Sequence, residues 1–452
     1  MKQIRDILKI GLPIMLGQAC IIILAFADNI MIGWYGVNEL AAASFVNGIM
    51  NLFIFTELGF TCGMTPIIGA QHGRGDVQGI GRTLRNGIYV NTALGVISLI
   101  VLAVIYLCLG RFGQEEALLP LIRPYFIAVG ISTLFALGFN TMKQFTDGIC
   151  MTVVAMTILM GGNLFNILGN WLLIYGKCGF PEMGLLGAGI STLVSRILMV
   201  IVFAAYIFRS KALGCYASAF RAARTERKGA GRIFSMGYPL ALQTFMESST
   251  FTMSTIMVGW IGAVALAAHQ VTMTISQLFF MMLMGLSMAT SVLISNSYGR
   301  QDYHAVRGYA GKGYMLSFLF SLLTCVVIYV FRHQVTGMFT DSPEVIAVSL
   351  SLLPVLFSYQ FGDGLQLMFC NVLRGIQDVK PIMAMAFVSY YIIAMPAAYL
   401  LGFRTDLGIT GIWLGFPIGL TTAGIFYLFR FRHRMRQLEA DSSTDMTCTE
   451  NH

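Results

Sequence analysis

The chain has 452 residues, 56% of them hydrophobic and only 11% Asp, Glu, Lys or Arg, and its mean hydropathy is +0.74. A water-soluble domain carries roughly a quarter of its residues as charges, so this composition excludes a soluble enzyme, a disordered chain, a collagen and a disulfide framework, and leaves a polytopic helical membrane protein. The net charge of +8 comes from 29 basic and 21 acidic residues, and the basic ones stand at the ends of apolar runs.

A helix needs about 20 mainly apolar residues to cross the hydrocarbon of a bilayer. Twelve runs of that kind predict spans at 11–33, 44–70, 87–109, 121–145, 152–175, 186–208, 233–260, 264–296, 313–331, 349–373, 381–401 and 408–430. The first follows Lys2, Arg5 and Lys9 but is too long for a signal-peptide core, so it is read as a retained span. The nine cysteines are scattered singly, with no Cys-x-x-Cys pair, and read as small hydrophobes.

The loops between spans fall into two alternating sets. One set, with both termini, carries 23 of the 29 Lys and Arg; the other carries Arg111, Arg123, Lys177, Arg332 and Arg404; Arg196 lies inside a span. The positive-inside rule then places both termini in the cytoplasm, and the location expected alongside is the inner membrane of a bacterium. The densest basic stretch, 209–232, is read as a connecting loop with some attraction for anionic lipid, and no nucleic acid is expected as a partner. The tail at 431–452, polar beyond Arg436, reads as disordered.

The halves repeat. A shift of 226 places Gly11 on Gly237, Pro13 on Pro239, Gly33-Trp34 on Gly259-Trp260, Leu40-Ala41-Ala42 on Leu266-Ala267-Ala268 and Gly73-Arg74 on Gly299-Arg300. Beyond that the matches of Pro124 with Pro354, Asn140 with Asn371 and Asp147 with Asp378 suggest a drift to 230 or 231. A repeat six spans long keeps both copies in the same orientation, the parallel kind found in transporters. The expected fold is therefore all-α: twelve transmembrane helices in two six-helix lobes, 1–208 and 233–430, joined by 209–232.

Ionisable residues inside spans are costly and default to functional hypotheses. They are Asp28, Glu57, Arg196, Glu247, His269 and Asp363, with Lys143 and Asp147 near an end. The acids are not copied by the repeat: Asp28 faces Ser254, Glu57 faces Leu283, Glu247 faces Ile21, and Asp363, at the shift of 230, faces Thr133. A buried carboxylate in a transporter can take up a proton, ligate Na⁺ or pair with a cationic substrate. Tyr359 and Asp363 are four apart, on one helix face, so a phenol and a carboxylate can address one ion. No nucleotide-binding loop, zinc motif or paired-acid motif competes, and no cofactor is expected.

Over residues 5 to 430 the sequence resembles the multidrug and toxic compound extrusion family, in its NorM-like branch. The resemblance rests on Pro13, Gln18 and Phe26-Ala27-Asp28-Asn29-Ile30-Met31-Ile32-Gly33, then Asn166 and Asn170-Trp171. In the second half it rests on Glu247, Ala267-Ala268-His269-Gln270, Tyr359-Gln360 with Asp363, and Asn371-Val372-Leu373-Arg374-Gly375. It implies two lobes arranged in a V and alternating-access export of small organic cations or drugs, by a monomer, in exchange for Na⁺ or H⁺. It also implies a cation site at Glu247, Tyr359 and Asp363, where Na⁺ would bind, and a polar site at Asp28, Asn166 and Asn170, with Gln270 a further polar candidate for substrate. The alternatives are a lipid-linked oligosaccharide or peptidoglycan-precursor flippase, which needs basic residues for its diphosphate, and a membrane-embedded enzyme.

Overall fold

The computed structural model describes residues 2–111, 118–340 and 342–449, with side chains as far as Asp441. Every regular element among them is helical, as lipid requires: hydrocarbon offers no partner to a backbone N–H or C=O, and a helix satisfies its own. The first half runs α1 (Lys2–Tyr35), α2 (Val37–Thr61), α3 (Met64–Arg74), α4 (Val77–Cys108), α5 (Leu119–Gly148), α6 (Thr152–Ile174), α7 (Gly184–Arg209) and α8 (Gly214–Ala222). The second runs α9 (Arg227–Ile261), α10 (Ala263–Gly299), α11 (Tyr303–Val330), α12 (Arg332–Gly337), α13 (Pro343–Ser351), α14 (Leu353–Gly375) and α15 (Lys380–Phe387). A π-helical turn (Val388–Ala394), α16 (Met395–Phe403) and α17 (Ile409–Thr449) complete it.

Large apolar side chains point outward. Leu319, Leu323, Val326 and Val330 form one exposed face of α11, and Trp34 and Leu107 are about four-fifths exposed. Ser, Thr and Asn are buried instead, among them Ser132, Asn170, Thr290 and Ser295. That inversion of a soluble protein suits helices whose outside is lipid and whose contacts are made by small and hydrogen-bonding residues. Ten helical segments are long and apolar enough to span a bilayer, and α13 with α14, bent by 46° at their break, makes an eleventh. Helix α9 supplies the twelfth span. Its 35 residues include Gln243, Thr244, Glu247, Ser248, Ser249 and Thr250, which dilute its hydropathy.

The chain forms two compact units, residues 16–241 and residues 1–15 with 242–452. Each of the equivalent helices α1 and α9 thus contributes to both units and changes over two residues after its proline, Pro13 or Pro239. Backbone closeness explains the glycines there. A Cβ on Gly63 would lie 2.9 Å from the Gly237 backbone in one unit, and a Cβ on Gly285 would lie 2.8 Å from Met15 Cα in the other. Gly285→Val should therefore lower the melting temperature by several degrees, an overpacking cost of about 1–3 kcal/mol. An unchanged thermal transition in detergent would contradict this packing.

The structure corrects the second register of the repeat. At the end of α5, Cys150 N donates to Asp147 O and Met151 N to Thr146 O; at the end of α14, Gln377 N donates to Arg374 O and Asp378 N to Leu373 O. Cys150 and Gln377 share a left-handed conformation, with φ of 64° and 63°. A Cβ on Gly148 would meet Ile68 and Thr65 O, and one on Gly375 would meet Ile294 and Ser291 O. The shift is 227, so the matched prolines, asparagines and aspartates are not equivalent, and Asp363 faces Ala136 rather than Thr133. The same turn chemistry recurs earlier: Asp76 and Asp302 cap α4 and α11 by accepting from Gly79 N at 2.7 Å and Ala305 N at 2.9 Å.

The basic stretch 209–232 packs rather than trails. Arg85 donates to Ala223 O at 2.7 Å and lies over the Phe220 ring, and Asn86 Oδ1 accepts from Glu226 N at 3.0 Å. The polar tail, expected to be disordered, is helical to Thr449: Leu438 is buried and Glu439 pairs with Arg307 at 2.7 Å. Residues 450–452 of that tail lie outside the described residues.

Candidate functional site

In the unit containing 242–452, four elements bring acids, amides and aromatic rings together. Helix α14 presents Tyr359, Asp363 and Gln366 along one stripe, all buried. Helix α9 brings Glu247, whose Oε2 accepts from Gln243 Nε2 at 2.6 Å. Glu247 and Asp363 lie within electrostatic reach of one another. Around them Phe251, Tyr359, Trp413 and Phe416 form an aromatic cluster, with ring centroids from 4.9 Å (Phe251–Phe416) to 6.5 Å (Tyr359–Trp413).

The hydrogen bonds left unmade are the telling feature. Both carboxylate oxygens of Asp363, Oε1 of Glu247, both side-chain polar atoms of Gln366 and the Tyr390 hydroxyl are buried without a protein partner. Of fifteen such buried atoms among the described residues, twelve belong to this unit. A polar group buried without a partner costs about 1–3 kcal/mol, more if charged, so atoms so gathered are arranged for something other than protein. Two carboxylates with phenol and amide oxygens are hard donors, and quadrupolar ring faces attract cations.

The unit 16–241 treats its acids differently. Asn170 Nδ2 donates to Asp28 Oδ1 at 2.6 Å. The two ends of the Asn166 amide are alike in shape, and the orientation that satisfies both puts its nitrogen 3.0 Å from the same oxygen while its oxygen accepts from Thr192. Arg196, half-buried, donates to Ser132 Oγ at 2.8 Å and lies within electrostatic reach of Asp28, Glu57 and Tyr125, so this unit holds its own cation. Lys143 is committed to Asp147 at 2.9 Å, which leaves Arg196 as the basic group near buried Glu57.

Tyr359, Asp363 and Glu247 are thus brought together, as are Asp28, Asn166 and Asn170. Gln270 stands apart, exposed on α10. His269 is buried, its Nε2 2.9 Å from Thr255 Oγ1 and its ring edge-on to Trp413. Sequence reasoning missed Gln243, Gln366 and Tyr390. Gln366, seven residues after Tyr359 on the same stripe, could have been found by helical spacing; Tyr390 could not, because its placement depends on the π-helical turn.

The MatE family model matches the chain twice, over residues 13–172 and 239–400. The two matches begin 226 residues apart, at the register of the repeat.

The chain belongs to the MatE family.

Among its relatives, the multidrug resistance protein NorM of Photobacterium profundum is 29% identical, with 95% of each chain covered. A probable multidrug resistance protein NorM of Xylella fastidiosa is 30% identical, covering 95% of this chain and 92% of its own. The crystal structure of MATE in the straight conformation superposes with a TM-score of 0.89 at 21% identity, covering 97% of both chains, which shows the twelve-helix MATE fold. This MatE-family member is an integral membrane transporter and not an enzyme.

Proposed function

We propose that this transporter exports cationic or amphipathic organic compounds in exchange for Na⁺ or H⁺ by alternating access. The observation that carries the reading is Asp363: a buried carboxylate without a protein partner on either oxygen, within electrostatic reach of Glu247 and one helical turn from Tyr359 of the aromatic cluster. Such a group is balanced by a proton, an inorganic cation or an organic cation. If these exclude one another, release of one accompanies capture of another, and their fluxes are linked. In this reading Asp363, Glu247 and Tyr359 couple the inorganic ion, while Asp28, held by Asn166 and Asn170, forms the second polar site. The printed names of the NorM relatives support drugs as cargo. The basic ends of the helices support an inner-membrane protein, taken to act as a monomer, with both termini cytoplasmic.

Expression in a bacterium stripped of its own efflux pumps tests this. Cells preloaded with ethidium should lose it several-fold faster than cells carrying the empty vector, and collapse of the ion gradients should abolish the difference. Equal loss with and without the protein would contradict drug export and make lipid-linked sugars the next substrates to assay.

A further inference from the structure

Two charged residues inside the unit 16–241, Glu57 and Arg196, have no part in the export proposed above, and the packing of neighbouring helices fixes their depth. Helices α2 and α5 run side by side: Tyr125 OH donates to Asn47 Oδ1 at 3.2 Å toward one end, and Gln144 Nε2 donates to Cys62 Sγ at 3.5 Å toward the other. These partners are 78 and 82 residues apart, which sets Glu57 at the depth of residues 135–139 of α5. Helices α5 and α7 also run side by side. A Cβ on Gly189 would lie 3.0 Å from Ala128 Cβ and one on Gly138 would lie 3.6 Å from Val200 Cγ2, offsets of 61 and 62 that set Arg196 beside residues 134 and 135.

Asp28 lies on the other side of Arg196. Thr192, one turn before Arg196 on α7, bonds the Asn166 amide that in turn bonds Asp28. The guanidinium thus stands in depth between two acids, each within about one helical turn, roughly 5 Å. Neutral groups hold all three charges: the two amides hold Asp28, Glu57 has the Ser98 hydroxyl beside it, and Arg196 donates to Ser132 Oγ at 2.8 Å. Among the described residues none of the three closes a direct ion pair. A salt bridge kept to tie helices together would be closed, because opening it leaves costly charges in a poorly solvated interior.

Resting on the export reading above, we propose that Arg196 sets the charge specificity of this transporter: it balances one of two acids, leaves Glu57 as the single counter-ion for cargo in this unit, and so selects organic compounds with one positive charge over those with two. Asp28 already accepts two amide hydrogens, so Glu57 is the acid left to pair. Lys143 and Asp147 cancel one another and add nothing to the balance. A second positive charge on the cargo would face Arg196 with no acid to offset it, a like-charge juxtaposition that low dielectric makes costly.

Ethidium, with one positive charge, and propidium, the same ring system with two, are the probes. Their half-saturating concentrations on the purified full-length protein are measured by equilibrium dialysis at mildly alkaline pH, where a proton competes least. The parent protein should favour ethidium. Arg196→Gln should shift the ratio toward propidium at least about tenfold, Arg196→Lys should keep the parental ratio, and Glu57→Gln should weaken ethidium at least about tenfold. An arginine kept only for packing would, when replaced, weaken both dyes alike; an unchanged ratio in Arg196→Gln, or a parent protein that favours propidium, overturns the proposal. If Arg196→Gln does not fold, Glu57→Gln decides alone, and ethidium binding at parental strength in that variant overturns it. Where the parent protein exports ethidium, such a result leaves the proposed function standing. A parent protein that neither binds nor exports ethidium overturns the two together.

Discussion

Asp363→Asn is expected to reduce drug export to background while the protein inserts in normal amount and melts no lower than the parent. The substitution hardly changes volume and removes a charge whose burial in a bilayer costs roughly 2.5–3.5 kcal/mol on insertion scales. Neither Asp363 oxygen bonds to protein, so no hydrogen bond of the fold is lost. What is lost is the ability to hold a proton or cation and give it up again. A carboxylate kept to tie helices together would behave in the opposite way, with transport surviving and stability falling. Drug resistance and thermal melting, measured at matched expression, separate the two. Full resistance in the variant would remove Asp363 from the mechanism.

Asp28→Asn should act differently because Asp28 is held. An amide has one acceptor oxygen where the carboxylate has two, and hydrogen bonds to a charged group are worth about 1.5–3 kcal/mol, so transport should fall by roughly tenfold or more. Removing this carboxylate also leaves Glu57 as the acidic group within reach of Arg196 in that unit. The dependence of transport on pH should therefore change as well as its rate. A lower melting temperature is expected here, in contrast to Asp363→Asn, because the Asn170 nitrogen loses its charged partner. A variant with a parental pH profile would show that Asp28 serves only to tie α1 to α6.

The twelve spans were legible because lipid imposes length and apolarity on every crossing segment, and the first part of the repeat because Gly, Pro and Asp mark backbone geometry that recurs. The second register was misread where polar and proline matches at 230 and 231 outweighed the true equivalence at 227, which rests on turn hydrogen bonds made by dissimilar residues such as Cys150 and Gln377. Nor did sequence reveal that α1 and α9 each divide between two units, since both read as ordinary continuous helices. Within the candidate site, the pairing of Tyr359 with Asp363 follows from four-residue spacing. The contrast between Asp28, bonded by an amide, and Asp363, without any protein partner, needed side-chain positions. At the start of the tail, Leu438 and Glu439 find partners just ahead of the polar run from Asp441 on which the expectation of disorder rests.

The most direct test of cation-coupled export is ethidium movement in proteoliposomes containing the purified protein, under an imposed Na⁺ gradient and, separately, an imposed proton gradient. Ethidium should move against the direction of at least one of these ions, and Asp363→Asn should remove that movement. Movement that persists in the variant, or a folded parent protein that moves no ethidium under either gradient, would contradict the account.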